Sequence, residues 1–218
     1  MQRPSPIRDS RIQVKHTGHS SRIRADSCEA LEEHVMFFRK FLSAPLKTGS
    51  ILPSSESLTR EMVKPLDWPR VNHIAELGAG TGVFTRRIGQ LHRPGTGVMV
   101  FEKDEPMRLR LQDQFPAFSF HPDALDIRKI LAQREIPALD GIISGLPFSN
   151  FPPSLRHAIL DEAAAALAPD GLFVTFIYSL RLLDTLKQRF RSVRTTLVPL
   201  NFPPAFVHVC RGPMVKRG

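Results

Sequence analysis

The stretch Ile74-Ala75-Glu76-Leu77-Gly78-Ala79-Gly80-Thr81-Gly82 decides the fold of this chain. It begins as a short apolar run, which is typical of a buried parallel strand, and then places glycine at alternate positions. Residues 83–88 continue in a helical pattern. A strand, a glycine turn and a helix gather backbone N–H groups around a ligand, and glycine permits its close approach. The dinucleotide pattern G-x-G-x-x-G would need glycine at position 83, where this chain has valine.

The spacing G-x-G-x-G, with Glu76 just before it, resembles motif I of the class I S-adenosylmethionine-dependent methyltransferases. A second apolar run, residues 96–102, ends in Glu102, near the roughly 20-residue offset at which an acidic side chain grips ribose hydroxyls. The alternative for Glu102 is a solvated strand-end glutamate. The resemblance assigns to the methyl donor a set of residues around these two strand ends: Glu76, Gly78, Ala79, Gly80, Gly82, Glu102 and Lys103.

The composition indicates one soluble domain with an unusual charge balance. A chain of 218 residues with 42% hydrophobic and 23% charged residues is long enough to bury a core. Its 30 basic and 21 acidic residues give a net charge of +9, which favours a polyanionic partner, either nucleic acid or an anionic membrane surface. Cys28 and Cys210 have no metal-ligand spacing, so no metal is expected. No apolar run approaches the roughly 20 residues that span a bilayer.

The chain divides into three segments. Residues 1–26 are rich in arginine, serine and histidine and poor in apolar residues, which predicts a flexible basic tail. Residues 27–70 are predicted to form N-terminal helices for membrane or substrate docking, and residues 71–218 to form the donor-binding domain. Within residues 31–47, apolar residues recur at helical spacing with Arg39 and Lys40 off that stripe. This amphipathic helix either packs on the domain or lies in a membrane interface with its cations toward anionic lipid.

After Glu102 the chain alternates helix and strand, which predicts a doubly wound parallel α/β sheet. A short strand ending at His121 leads into Asp123 and Ala124. At this edge of such a sheet, Asp123 could accept a hydrogen bond from the adenine amino group and Ala124 could donate its backbone N–H. The alternative is that Asp123 caps the following helix, and the pattern leaves the two open.

The fourth strand, residues 139–144, ends in Ser144 and runs into Gly145-Leu146-Pro147-Phe148. Motif IV of amino-methylating enzymes occupies this position, where a proline-fixed turn and an aromatic ring hold the acceptor nitrogen near the methyl group. A plain structural turn is the alternative. Tyr178, the single tyrosine, follows the fifth strand. A helix over 180–190 and a hairpin of residues 195–200 and 205–210 would then close a seven-stranded sheet with an antiparallel last strand.

Several segments together resemble the bacterial phospholipid N-methyltransferases, a family related to the ribosomal RNA adenine dimethyltransferases. These segments are Phe37-Phe38-Arg39-Lys40-Phe41-Leu42, Gly49-Ser50-Ile51-Leu52-Pro53-Ser54-Ser55, the motif at residues 76–82, Ser144-Gly145-Leu146-Pro147-Phe148 and Phe202-Pro203-Pro204-Ala205. The RNA enzymes carry Asn-Leu-Pro-Tyr or a close variant in motif IV. Gly145 stands here in place of that asparagine and Phe148 in place of the tyrosine, which weighs against adenine as the acceptor.

The resemblance implies methyl transfer from S-adenosylmethionine to the amino head group of phosphatidylethanolamine, toward phosphatidylcholine. It assigns Ser144 to the donor site and the loop of Gly145, Leu146, Pro147 and Phe148 to the acceptor, with Tyr178 as a proton acceptor or orienter. It also favours a cytoplasmic enzyme held peripherally on the inner membrane, docked on anionic lipid through residues 31–47. The alternatives are an RNA adenine methyltransferase and a noncatalytic binding protein on the same fold.

Overall fold

The computed structural model describes residues 53–201 and 203–214, with side chains described from residue 56. The predicted basic tail at residues 1–26 and the predicted amphipathic helix within 31–47 lie outside the described residues, as does Phe202.

A single sheet of seven strands forms the centre of the described region, in the order β3-β2-β1-β4-β5-β7-β6. The first five strands pair in parallel, and β7 runs antiparallel to both β5 and β6. This arrangement confirms the predicted fold class. The strands are β1 His73–Leu77, β2 Gly97–Phe101, β3 Ser119–His121, β4 Leu139–Ser144, β5 Leu167–Ile177, β6 Phe190–Val198 and β7 Ala205–Pro213.

Helices cover both faces of the sheet and bury two separate cores. Alternate strand residues point to opposite faces, so Ile74 packs on one side with α1, α2 and α3, and Ala75 packs on the other with α4, α5 and α6. Among residues 53–201 and 203–214, no helix is long and apolar enough to cross a membrane. The helices are α1 Pro53–Val63, α2 Val83–Leu91, α3 Glu105–Gln114, α4 Ile127–Gln133, α5 Pro153–Ala166 and α6 Leu183–Lys187.

The prediction of a helix over 180–190 was only partly right. A 3₁₀ turn at Leu180–Leu182 leads into the short helix α6, and Phe190 already belongs to β6. Phe190 is buried and stacks on Phe173 of β5 at a centroid distance of 5.7 Å. This ring contact on the face of the sheet places Phe190 in a strand, although the residues around it have helical spacing in the sequence. Strand β6 consequently starts at Phe190 and pairs with β7 as far as Pro213.

The strand order places the candidate site at one edge of the sheet. The crossovers run outward in one direction from β1 to β3 and in the other direction from β4. A parallel sheet binds its ligands beyond the carboxyl ends of the strands on either side of such a reversal. The ends of β1, β2, β4 and β5 therefore bring together the glycine loop, Glu102, the Gly145–Phe148 loop and Tyr178.

Candidate active site

The glycine loop joins β1 to α2 and is held in place by backbone hydrogen bonds. Gly78, Gly80 and Gly82 have φ angles of 73°, 53° and 82°, a left-handed conformation that other residues adopt at a cost. The Gly78 N–H donates to the carbonyl of Phe101 at the end of β2, at 2.8 Å. The sequence at this turn therefore specifies glycine for backbone conformation as well as for ligand approach.

Glu102 ties the glycine loop to the end of β2. Its Oε2 accepts from the Gly80 N–H at 2.7 Å, and its Oε1 accepts from the Asp104 N–H at 2.8 Å. A carboxylate has about four acceptor positions, so each oxygen keeps capacity for a ligand hydroxyl. Lys103, the next residue, is exposed beyond the strand. The carboxylate of Glu102 thus stands beside the loop, where it could hold a diol.

Glu76 is a fully buried carboxyl group behind the glycine loop. Its Oε2 accepts a hydrogen bond from Thr85 Oγ1 of α2 at 2.6 Å. Its Oε1 is buried and has no hydrogen-bond partner among the described residues. Burial, with a smaller contribution from the negative charge of Glu102, raises the pKa of Glu76 to about 8, and the Thr85 hydrogen bond opposes this rise. The open oxygen of Glu76 could accept from a cationic ligand amine.

The raised pKa of Glu76 predicts a pH dependence of stability in the donor-free protein. The pKa of this carboxyl is 4.5 without perturbation and about 8 in the fold. Between these values the unfolded chain loses the proton and the folded chain keeps it, so the free energy of unfolding falls as pH rises. We expect this contribution to fall by about 3 kcal/mol between about pH 6 and pH 8.5, and to be absent in Glu76→Gln. Urea unfolding of the wild type and of Glu76→Gln at the two pH values measures this change. An equal change in the free energy of unfolding of both proteins would contradict the prediction.

The acceptor loop lies against the glycine loop. The Gly145 N–H donates to the carbonyl of Leu77 at 2.8 Å, and a Cβ built on Gly145 would lie 2.8 Å from the carbonyl oxygen of Gly78. Ser144, predicted as a donor contact, is buried, and its Oγ accepts from the Leu146 N–H at 3.3 Å. Its hydroxyl therefore shapes the acceptor loop.

Phe148, predicted to face the acceptor, is fully buried in this structure. Its ring packs near Phe151 and Phe173, at centroid distances of 5.9 and 6.3 Å. The ring therefore supports the loop from beneath, and the predicted face-on contact with an acceptor cation has no open ring face to use here. Leu146 and Pro147 take the exposed side of the loop and line a cavity.

That cavity lies between the acceptor loop and the end of β5 and has a volume of about 60 Å³. Tyr178 lines it, 36% exposed, with its ring edge-on to Phe176 at 5.8 Å. Burial raises the pKa of Tyr178, and a hydrogen bond with the Asn201 side chain opposes the rise. The sequence interpretation missed three polar residues here, of which two directly follow the predicted loop and could have been noticed: Ser149, Asn150 and Asn201.

Asp123 and Ala124 follow β3 at the same edge of the sheet. The Asp123 Oδ1 accepts from the Leu125 N–H at 2.9 Å, which is the capping contact that the sequence left open beside an adenine contact. This cap uses one acceptor position of the carboxylate, and Asp123 is exposed, so its remaining positions could still accept from an amino group. Ala124 is partly buried against the core on the α4 face.

Solved structures similar to this one show which class of protein the fold defines. The N-methyltransferase NodS from Bradyrhizobium japonicum WM9, with bound S-adenosyl-L-homocysteine, has a TM-score of 0.58 and 14% identity over 73% of this chain and 86% of its own. A Burkholderia thailandensis N1-methyltransferase has a TM-score of 0.57 and 15% identity over 94% and 92%. The Thermus thermophilus 16S rRNA N2 G1207 methyltransferase, with a TM-score of 0.55 and 23% identity, matches 76% of this chain and 44% of its own. The fold is that of a class I S-adenosylmethionine-dependent methyltransferase.

No protein-family model matches the chain. The ornithine lipid N-methyltransferase of Singulisphaera acidiphila is 31% identical over 191 residues, which are 84% of this chain and 97% of that enzyme. The chain therefore belongs to the bacterial lipid N-methyltransferase family, as the sequence motifs predicted. S-adenosyl-L-methionine is its methyl donor.

Proposed function

We propose that this chain transfers methyl groups from S-adenosylmethionine to the primary amine of a membrane-lipid head group. The observation that carries the proposal is the hydrogen-bonded junction of the glycine loop and the acceptor loop, from Gly145 N–H to Leu77 carbonyl. Phosphatidylethanolamine is the acceptor that the sequence favours. Ornithine lipid is a second candidate, because the 31% identical relative bears that name. Both present a free primary amine beside an anionic group.

The donor site is proposed from the residues that face the glycine loop. Bound S-adenosylmethionine supplies an electrophilic methyl group on its sulfonium. The open Oε1 of Glu76 is suited to the ammonium of a methionine moiety, and the carboxylate of Glu102 to a ribose diol. Gly78, Ala79, Gly80 and Gly82 would let the ligand approach the backbone closely, with Lys103, Asp123, Ala124 and Ser144 around its edge.

The acceptor site is proposed from the cavity beside the donor loop. Methyl transfer between a nitrogen and a sulfonium is an in-line displacement, so the protein mainly supplies alignment and exclusion of water. Leu146 and Pro147 give the cavity its apolar wall, and Tyr178 adds a hydroxyl group. Because burial raises the pKa of Tyr178, its phenol stays protonated at neutral pH. A neutral phenol orients an amine by hydrogen bonding and is a poor proton acceptor.

Replacing Tyr178 with phenylalanine tests this orienting role. We expect kcat to fall by about tenfold through the loss of one aligning hydrogen bond, with the Kd for the donor unchanged. The shape of the pH profile of kcat should stay that of the wild type, because the phenol does not titrate in that range. Steady-state kinetics from about pH 7 to pH 9 provide the measurement. A profile that loses one ionisation in Tyr178→Phe would show that the phenol is the base.

Membrane docking is part of the proposal, although residues 31–47 lie outside the described residues. Phe37 and Phe38 with Arg39 and Lys40 combine apolar insertion with attraction to anionic lipid, about 1 kcal/mol for each cation near the surface. Replacing both phenylalanines with glutamate should release the protein from anionic liposomes and leave donor binding intact. Arg39→Glu with Lys40→Glu should weaken binding less, by an amount that added salt reproduces in the wild type. Liposome flotation measures both, and unchanged flotation of the Phe37→Glu, Phe38→Glu protein would contradict docking through residues 31–47.

The acceptor is tested by offering labelled donor with a panel of acceptors to the wild-type protein. The panel comprises vesicles containing phosphatidylethanolamine, vesicles containing ornithine lipid, and ribosomal RNA, with products separated by chromatography. Label in either lipid supports the proposal and identifies the head group. The net charge of +9 is the observation that favours RNA. Label in adenine of the RNA and in neither lipid would overturn the proposal.

A further inference from the structure

Four polar side chains occupy adjacent positions on four neighbouring strands. Ser144 of β4 is paired with Thr175 of β5, Thr175 with His208 of β7, and His208 with Thr195 of β6. Directly opposite residues point to the same face of a sheet. These four residues therefore form one row across the sheet, on the face that α4, α5 and α6 cover. Strand residues in the buried part of this face are otherwise mostly apolar.

Two side-chain atoms in the middle of this row are buried and have no partner among the described residues. They are Thr175 Oγ1 and His208 Nε2, on residues that are both 0% exposed. The other ring nitrogen of His208, Nδ1, lies 2.9 Å from Thr195 Oγ1. Opposite residues of an antiparallel pair have Cβ atoms about 4.5–5.5 Å apart, a spacing that one water molecule can bridge. Buried polar atoms without protein partners are commonly satisfied by such a water.

One end of the row lies next to the acceptor loop, and the other end is exposed to solvent. At one end, Ser144 directly precedes the acceptor loop and its Oγ accepts from the Leu146 N–H. Thr175 lies two residues before Ile177, which lines the cavity. At the other end, Thr195 is exposed on the edge strand β6. Each member of the row carries a group that can accept one hydrogen bond and donate another.

We propose that two buried waters complete this row, one between Ser144 and Thr175 and one between Thr175 and His208, and that the row conducts the proton lost by the acceptor amine to solvent. The inference rests on the proposed function. An N–H bond of the ammonium breaks as an O–H bond forms on a cavity water, and that water passes one of its own protons to the Ser144 hydroxyl. Ser144 passes its own proton on through the first water, Thr175 and the second water to His208 Nε2. The Nδ1 proton then moves to Thr195 Oγ1, and the Thr195 proton passes to bulk water. The row keeps its number of protons, with the imidazole proton now on Nε2, and the imidazole returns to the Nδ1–H tautomer before the next turnover.

The groups around His208 suit a neutral relay. Burial lowers the pKa of His208 to about 4, so the imidazole is uncharged at neutral pH. Cys210 points to the same face of β7, and burial raises the pKa of its thiol. The charged residues of α6, Asp184 and Lys187, are exposed, as are Arg191 and Arg194 of β6. In the described region, burial is the cause of the lowered pKa of His208, and no charged group is required to explain it.

The pH dependence of kcat on amino-lipid vesicles tests the row. Thr175→Val removes the hydroxyl and nearly keeps the shape, and Thr175→Ser restores the hydroxyl. At about pH 7.5 we expect kcat to fall by about tenfold or more in Thr175→Val and His208→Phe, and to remain near the wild type in Thr175→Ser. At about pH 10 a lipid amine, with a pKa near the value of about 10.4 for a lysine amine, is already deprotonated in a substantial fraction, so the valine and phenylalanine variants should move toward the wild-type rate. An equal loss at both pH values, or a wild-type profile in Thr175→Val, would overturn the proposal.

A surface pair keeps the test independent of folding. Thr195→Val breaks the exposed end of the row, whereas Thr196→Val alters the next residue of β6, which is also exposed and points to the other face. We expect Thr195→Val to lower kcat at neutral pH with recovery at alkaline pH, and Thr196→Val to match the wild type. Identical profiles for the two variants would contradict the row. If the wild-type protein labels no amino lipid, the proposed function fails instead, so the two failures are distinguishable.

Discussion

Gly145→Asn will weaken donor binding as well as methyl transfer, although the substitution restores the residue that the RNA adenine enzymes carry. A Cβ at position 145 would lie 2.8 Å from the Gly78 carbonyl oxygen, and the Gly145 N–H is bonded to the Leu77 carbonyl. Backbone atoms hold both sides of this contact, so only a shift of the glycine loop can relieve the clash. Overpacking of this kind costs about 1–3 kcal/mol, which corresponds to a loss of donor affinity of up to about a hundredfold. Isothermal calorimetry measures the affinity.

A glycine in a surface turn supplies the control for this prediction. A Cβ on Gly95 meets nothing within 4 Å, but its φ of 89° makes alanine strained. Gly95→Ala should therefore lower thermal stability and leave the donor Kd unchanged. Gly145→Asn should also gain no methylation of RNA. A folded Gly145→Asn protein with wild-type donor affinity would show that the two loops are independent.

Glu102→Gln will weaken donor binding by at least about a hundredfold, since it removes an acceptor that positions the loop. Both oxygens of Glu102 accept from backbone N–H groups, at 2.7 Å from Gly80 and 2.8 Å from Asp104. An amide can offer only one acceptor oxygen, and its NH₂ group would face the other N–H. The substitution therefore releases the middle of the glycine loop or the turn that precedes α3, and it also removes the charge proposed to hold the ribose diol.

Glu105→Gln is the matched control, because it makes the same chemical change three residues further along. The Glu105 side chain is 72% exposed, and it forms an ion pair with Arg108 at 3.9 Å, a kind of surface pair that contributes little. Calorimetry should show a weakened donor affinity for Glu102→Gln and the wild-type donor affinity for Glu105→Gln. Equal donor affinity in Glu102→Gln and Glu105→Gln would remove Glu102 from the donor site.

The parts of the fold that could be predicted are those that local sequence determines. Residues 74–82 specify strand, glycine turn and helix within one continuous stretch, and the apolar run ending at Glu102 repeats the strand pattern. The double role of Glu102 could not be predicted, because both of its hydrogen bonds depend on how the loop sits over β2. The sequence spacing predicts where Glu102 lies. Its hydrogen-bond partners depend on the packing of the loop in three dimensions.

The C-terminal half shows why the other parts of the fold and the site could not be predicted from the sequence. Phe190 has helical neighbours in sequence, but its ring stacks on Phe173, so a contact between strands decided its structure. Phe148 was predicted to face the acceptor and is instead enclosed beneath its loop. The pairing of Thr175 with His208 depends on the β5–β7 register, and these residues are 33 positions apart in the chain. Such pairings follow from sheet order, which no local pattern reports.

The unpartnered oxygen of Glu76 has a consequence for the lifetime of the protein. Burial keeps Glu76 protonated in the empty protein near neutral pH, and a cationic ligand group beside its open Oε1 would favour the ionised form. A ligand that binds only the folded chain stabilises it in proportion to the logarithm of its concentration above Kd. The loaded enzyme should therefore outlast the empty one under proteolysis, and the supply of methyl donor would set the amount of enzyme as well as its rate.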